Sequence, residues 1–531
     1  MIKKIIAILL FGCIYLFAQD GQKQNPGVQL PDFVITGKDI ISVENAKKIP
    51  PPFVSTLSEQ FFKPIFSPEN LQVKEIDIPI QGSLMKIDSL NYYKGRIDAG
   101  MGLYSLPTVA FNYSQPFENG MLEGFASALN QRPYVANSEK YSFNGGANLF
   151  LYVRDDSKIF PGTHFKFGGN YSTTTYKLFA SDNPFFKRNL NIGNASVKIE
   201  NLTSKYVIFS GKIEDKLESL QNENYSENLM NVEGFAKIGF PTFYLGVDAN
   251  FKKQFLTNNI YNNQIGYFLS ARPSVELNIT NLLRASFGFY FSQVSRNNFF
   301  SPYASAALNL GNGISLFGDY SPQTEFLTPE YFLNQNPYYN PQNFSNLFVK
   351  NNSSFDAYIK YEYYTMFEID GGIKFLSTEN LPYFTDLKSP GIFNILTANV
   401  KSYSSFVDLL FHLGPYGEFY GTVEVNSTKD SSGNYVPYFP QLKSSLNYGY
   451  YFHSGLDAEI NLLYNTGSYT GLNNSVELNP DFNLGLKFSY KLEPDFLLTL
   501  KLSNLFNHKN YMWNGYQDLP LNVVGGIRYQ F

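Results

Sequence analysis

The stretch Asn522-Val523-Val524-Gly525-Gly526-Ile527-Arg528-Tyr529-Gln530-Phe531 carries the period on which the fold turns. Val523, Gly525, Ile527, Tyr529 and Phe531 place every second side chain on one face, and the run stops on an aromatic. A repeat of two is the signature of a β-strand, because successive Cβ atoms point to opposite faces of a sheet.

The same period recurs upstream. Ile97, Ala99, Met101 and Leu103 alternate with Arg96, Asp98, Gly100 and Gly102. Leu269, Ala271, Val275 and Leu277 alternate with Ser270, Arg272, Ser274 and Glu276, and Phe482, Leu484, Leu486 and Phe488 with Asn483, Gly485, Lys487 and Ser489. From about residue 93 onward such segments repeat at roughly ten residues each, the length a tilted strand needs to cross a bilayer. Aromatics gather at segment ends, among them Tyr104, Phe111, Tyr267, Tyr290, Tyr363 and Phe452, as interfacial girdles require. Glu118-Asn119-Gly120, Gly311-Asn312-Gly313 and Ser432-Gly433-Asn434 supply the chemistry of tight turns. Residues 322–348, rich in Asn, Pro and Tyr, read as one large extracellular loop.

Composition agrees. Among 531 residues, 44% are hydrophobic and 17% aromatic, yet mean hydropathy is only -0.21, so apolar residues are interleaved with polar ones. Beyond the leader no run reads as a membrane-crossing helix, and only helices and closed barrels satisfy every backbone group in lipid. The expected fold is all-β: a transmembrane antiparallel β-barrel of about 20–22 strands behind a short extended N-terminal segment. Its expected solvents are outer-membrane lipid outside and water in the lumen. A net charge of -4 gives no reason to expect a nucleic-acid partner.

Three regions are expected. Residues 1–18 have the grammar of a secretory signal peptide: a positive start, an apolar stretch from Ile5 to Phe17, and Ala18 before a polar run. A lipoprotein reading, with Leu10-Phe11-Gly12 before Cys13, is the rival. Cys13 is the one cysteine, so the mature chain has no disulfide framework or cysteine metal site. Residues 19–92, punctuated by Pro26, Pro31, Pro50-Pro51-Pro52, Pro64, Pro68 and Pro79, read as an extended periplasmic or lumenal segment. Residues 93–531 form the barrel.

The terminal Phe531, with Tyr529 two residues before it, resembles the closing-strand signal of outer-membrane barrels, which implies the barrel-assembly machinery as a partner. Asn504-Leu505-Phe506-Asn507, followed by Tyr511 and Gly515-Tyr516, resembles the late barrel segment of TonB-dependent receptors. Tyr435-Val436-Pro437 with Pro440 is similar to that family's proline-marked late hairpin. Leu30-Pro31 and Asp32-Phe33-Val34-Ile35-Thr36-Gly37 resemble the stretch that precedes the plug, which implies a tail that binds an energising TonB-like protein or another periplasmic partner. A plain linker is the other reading of that stretch. The family's globular plug does not fit between Gly37 and Gly95, so it is missing or vestigial here. Something else must fill so wide a lumen.

No chemistry of catalysis is legible. His164, His412, His453 and His508 stand far apart, no HExxH, CxxC or GxSxG run occurs, and no cofactor is expected. Asp155-Asp156 and Glu214-Asp215 read as solvated pairs. Arg96, Arg272, Arg284 and Lys487 could hold an anionic solute, but pairing with acids such as Asp98 and Glu276 is the simpler expectation. Three functions remain open on sequence: passage of a solute across the bacterial outer membrane, anchoring of an envelope partner, and a passive pore.

Overall fold

The structure is a computed structural model that describes residues 94–531, except 155, 158–159, 203, 205, 279–281, 296, 364–365, 388, 413–416 and 453. The expected leader, the segment 19–92, Asp32–Gly37 and His453 lie outside the described residues.

The strands run in chain order as β1 (Gly95–Gly102), β2 (Ser105–Phe117), β3 (Gly120–Gln131), β4 (Lys140–Tyr152), β5 (His164–Lys177), β6 (Lys187–Asn201), β7 (Val207–Leu220) and β8 (Tyr225–Gly239). They continue as β9 (Phe243–Thr257), β10 (Gln264–Asn278), β11 (Leu283–Val294), β12 (Asn297–Gly311), β13 (Ile314–Tyr320), β14 (Gln323–Leu327), β15 (Leu347–Tyr363), β16 (Phe367–Thr385) and β17 (Asn394–His412). The last are β18 (Glu418–Asp430), β19 (Leu442–Tyr451), β20 (Leu456–Asn465), β21 (Asp481–Glu493), β22 (Phe496–Ser503), β23 (Tyr511–Trp513), β24 (Tyr516–Gln517) and β25 (Asn522–Gln530). Each wall strand pairs antiparallel with its neighbour, and β1 pairs with β25, so the sheet closes on itself. Because β13 and β14 both pair with β15, the wall has 22 positions. β23 and β24 form a separate ribbon inside one loop.

Closure rests on the terminal aromatic. Gly95 N–H donates to the Phe531 carbonyl at 2.9 Å, and Phe531 N–H donates back to the Gly95 carbonyl at 3.0 Å. The Phe531 ring lies over Gly95, where a Cβ would come within 2.3 Å of it. A side chain at this position would push the ring aside.

Alternation sorts the two faces as the sequence predicts. Ile97, Met101, Phe111, Phe143, Leu269, Ile373 and Ile527 are exposed on the outer surface, as lipid-facing side chains must be. The inner face carries ion pairs: Arg96–Asp98 at 2.8 Å, Arg272–Asp248 at 3.3 Å, Lys237–Glu276 at 3.0 Å and Lys487–Glu459 at 2.8 Å. Each of the four basic side chains picked from sequence is paired, Arg284 with Glu276 at 3.6 Å. One aromatic departs from the expected girdle. Tyr290 is buried on the inner face, where its hydroxyl lies 3.3 Å from the Thr324 carbonyl, because its parity matches Ser286 and Ser292 rather than the exposed Phe287 and Phe289.

The end holding Phe531 turns mostly in a few residues, as at 118–119, 240–242 and 312–313, while the other end carries long loops such as 178–186, 328–346, 431–441 and 504–521. In barrels of this kind the short turns are periplasmic and the long loops extracellular. At Gly313 the turn demands glycine: φ is +80° and a Cβ would lie 1.8 Å from the Glu362 carbonyl oxygen.

Candidate functional site at the extracellular mouth

The large apolar cores of this barrel sit at its mouth, built largely from residues 323–348. That stretch, expected as a loop, holds β14, a short helix α1 (Pro329–Gln335) and a 3-10 turn at Pro341–Asn343. Thr328-Pro329-Glu330 is a helix-start signal that the sequence carried in plain view, since proline suits the first helical turn. The segment turns inward. Phe332, Leu333 and Tyr339 are fully buried against Tyr176, Leu190, Leu220 and Leu256 of the wall.

Buried polar side chains of β6, β8, β9 and the turn after β9 tie this insert down. Arg188 donates to the carbonyls of Pro337 and Tyr339, both at 2.8 Å, and to Glu223 at 2.5 Å. Asn258 donates to the carbonyls of Pro341 and Phe344 at 2.9 and 3.0 Å. Gln254 donates to the Ser345 carbonyl at 2.8 Å. The first turn of a helix leaves backbone N–H groups without intrahelical acceptors. Here the Glu227 carboxylate on β8 accepts from the Glu330 N–H at 2.9 Å, and Glu330 itself pairs with Lys216. The bonds to carbonyls and to the Glu330 N–H satisfy backbone groups that burial would otherwise leave unpaired, which is what allows an irregular segment to lie inside the barrel.

The other side of the insert meets loops from the far wall. Tyr338 stacks on Tyr516 with ring centroids 3.4 Å apart, and Phe179 abuts Tyr516 at 4.8 Å. Phe393 N–H donates to the Tyr338 carbonyl at 3.1 Å, and Asn340 N–H to the Phe393 carbonyl at 2.7 Å. Trp513, the chain's one tryptophan, packs on Phe384 at 4.9 Å, Phe393 at 5.3 Å and Tyr438 at 4.9 Å. Burial pushes the Tyr338 and Tyr516 hydroxyls above the ordinary phenol range, so both stay neutral. Tyr516 donates to the Gly391 carbonyl at 2.7 Å.

These loops are rooted between β5 and β6, β14 and β15, β16 and β17, and β22 and β25. Most of those roots lie about a third of the 22-position ring apart, so their contacts span the mouth. The lumen is therefore covered at its extracellular end by the chain itself.

The motifs picked from sequence fall into place around this cap. In Asn504–Asn507 the Asn504 side chain donates to the carbonyls of His508 and Leu519 at 2.7 and 3.0 Å, and the Asn507 side chain accepts from Leu521 N–H at 3.0 Å. The motif thus knots the loop that presents Trp513 and Tyr516. Val436 is buried between Pro437 and Tyr435, where its N–H donates to the Thr428 carbonyl at 3.1 Å. Tyr529 and Phe531 stack at 5.7 Å on the closing seam, at the opposite end from the cap. Among the described residues no cluster of histidine and carboxylate has metal-holding geometry. His164 only leans on Tyr152, at 4.8 Å.

No protein-family model and no curated protein matches the chain. Solved structures do. The siderophore receptor PirA from Acinetobacter baumannii matches at a TM-score of 0.64 and 11% identity, over 82% of this chain and 80% of that one. The FrpB iron transporter from Neisseria meningitidis matches at 0.63 and 9%, over 83% and 81%. The copper transporter OprC matches at 0.62 and 10%, over 83% of each chain. These neighbours are receptors and transporters, not enzymes. At such identities the likeness speaks for the fold alone: the chain has the closed antiparallel β-barrel architecture of those receptors and transporters, with loops that meet across its mouth.

Proposed function

We propose that the barrel passes a solute across the outer membrane through a lumen that its own loops keep shut at rest. The cap is the observation that carries this reading. A wide polar lumen lined by ion pairs is suited to water-soluble cargo, and a cover tied by Arg188, Gln254, Asn258 and Glu227 is a device for withholding passage until something releases it. A permanently open porin has no use for such a cover.

In this reading residues 1–18 direct export, residues 93–531 are the conducting body, and 19–92 are a periplasmic or lumenal segment. Asp32, Phe33, Val34, Ile35, Thr36 and Gly37 form the strand-prone stretch offered to an energising TonB-like partner, by addition to that partner's sheet edge. Tyr529 and Phe531 are the signal read by the assembly machinery.

Conductance in planar bilayers tests this for three proteins: the full chain, the chain lacking 19–92, and a chain whose cap is untied at Arg188. The full chain is expected to be silent and the untied chain to conduct. Conduction by the full chain would make it a porin. Silence of all three would sink the passage reading in favour of a barrel that anchors an envelope partner.

A further inference from the structure

The barrel wall has a seam in its extracellular half. β12 is paired along its whole length with β11, from Val294↔Asn297 to Leu283↔Leu308. On its other side β12 pairs with β13 only from Ala304↔Tyr320 downward. Among the described residues Asn297–Tyr303 have no ladder on that side. β14, which continues the chain beyond β13, is hydrogen-bonded to β15 instead and lies over the lumenal face of β10 and β11. There Thr324 Oγ1 sits 2.6 Å from Ser292 Oγ, and the Phe326 ring stacks on Phe268 at 6.0 Å.

The alternation of β14 is that of a wall strand. On β13, Leu316 and Tyr320 are exposed on the outer surface while Phe317 and Asp319 are buried inward. The same parity assigns Thr324 and Phe326 to the outer face, and Gln323 and Glu325 to the lumen. In the present structure Phe326 is buried against the inner wall instead. The strand's pattern therefore suits the wall as well as the place it occupies. The bare edge of β12 is the matching vacancy, since open sheet edges are costly beside a membrane. Extending the β12–β13 register past Ala304↔Tyr320 sets Ser301 opposite Gln323, Phe300 opposite Thr324 and Asn297 opposite Leu327.

The hairpin is also jointed. The β13–β14 strand breaks at Ser321-Pro322, and β15 carries a register shift against β16 between Asn351 and Ser353, directly opposite.

Building on the passage reading, we propose that β14 is a gate strand that leaves the lumen and docks on the bare edge of β12, Asn297–Ser301. Since β14 runs directly into Thr328 and α1, docking draws the insert away from Glu227 and Lys216, so that completing the wall and uncovering the mouth are one movement.

Paired cysteines test this in the full chain on a Cys13→Ser background. Ser292→Cys/Thr324→Cys should cross-link readily, because the two oxygens it replaces are 2.6 Å apart, and should stay silent in bilayers. Phe300→Cys/Thr324→Cys shares one substitution with it and can bond only when β14 reaches β12. Under mild oxidant in membranes it should cross-link more slowly, then conduct, and a reductant should abolish the conductance. Both proteins must first migrate as folded barrels before boiling.

The proposal is overturned if the 292–324 bond forms and the 300–324 bond never does. It is equally overturned if the 300–324 bond forms and the protein stays silent while the Arg188→Ala protein conducts, an outcome that leaves the passage reading standing. Silence of both the bonded protein and Arg188→Ala would remove the passage reading and the gate with it.

Discussion

Arg188→Ala is the sharpest single perturbation of the cap. The Arg188 side chain is 2% exposed and serves three acceptors at once: the Glu223 carboxylate and the carbonyls of Pro337 and Tyr339. Its removal leaves a mostly buried carboxylate without its cation and strands the Tyr339 carbonyl, while the Pro337 carbonyl keeps the Tyr176 hydroxyl as donor. The Glu223 pair joins β6 to the turn between β7 and β8 whether the cap is open or closed, so only the bonds to the insert's carbonyls shift the balance. A hydrogen bond from a charged donor is worth about 1.5–3 kcal/mol. The open-to-closed ratio should then rise roughly ten- to a hundred-fold. Trp513 reports the change, since it is the one tryptophan and is enclosed by Phe384, Phe393 and Tyr438. Its emission should shift to the red and become open to quenching by iodide, in step with the appearance of conductance. Arg188→Lys should recover part of the closure, because an ammonium restores the charge but not the forked donors that reach two carbonyls at once. A variant with wild-type emission, quenching and silence would refute the claim that this side chain holds the mouth shut.

Three further outcomes are expected. Deleting Phe531 removes two backbone bonds and the ring over Gly95, so folded yield in the outer membrane should fall while unfolded chain accumulates; unchanged yield would strip the terminal aromatic of its role in assembly. Gly313→Val forces a branched residue into φ +80° against the Glu362 carbonyl, and should cost at least about 1–3 kcal/mol, read as a lower temperature for loss of the compact band on gels, with no effect on Trp513 emission. Deleting residues 30–40 should abolish energised uptake yet leave the bilayer behaviour of the pure protein as it was; uptake at the wild-type rate would reduce Asp32–Gly37 to a linker.

Most of the wall was legible because one rule writes it. Lipid outside and water inside force a repeat of two on every strand, so Ile97 and Met101 could be assigned outward, and Arg96 and Asp98 inward, without a structure. Turn chemistry located the hairpin at Gly311-Asn312-Gly313. The cap was not legible for a matching reason. No period governs residues 328–346, and burial there depends on partners more than a hundred positions away, such as Arg188 for Tyr339. Its aromatics looked like the tip of an exposed loop, and Tyr290 like a girdle residue, because sequence fixes a side chain's parity but not what folds in front of it. The helix start at Thr328-Pro329-Glu330 was the one local sign of order.

β14 carries a pattern that two places satisfy. Its parity continues β13, so its sequence asks for a place in the wall, yet Phe326 and Thr324 satisfy themselves on Phe268 and Ser292 inside the lumen. A pattern that fits both places leaves the side chains satisfied in each, so the two arrangements can lie close in free energy. The terms on each side are of similar kind. Inside, the strand gains a small apolar cluster of Phe268, Val294, Phe326 and Phe348 and the buried bonds of the insert. Outside, it would gain the ladder that Asn297–Ser301 now lack and return Phe326 to lipid, while Gln323 and Glu325 stay wet in both. The cap's own ties then set the balance. Weakening Arg188 or Glu227 should move the strand as well as the loops, so in Arg188→Ala the 300–324 cysteine pair should cross-link faster than in the parent chain. Equal rates in the two backgrounds would mean that the cap and the seam are independent features that merely share a hairpin.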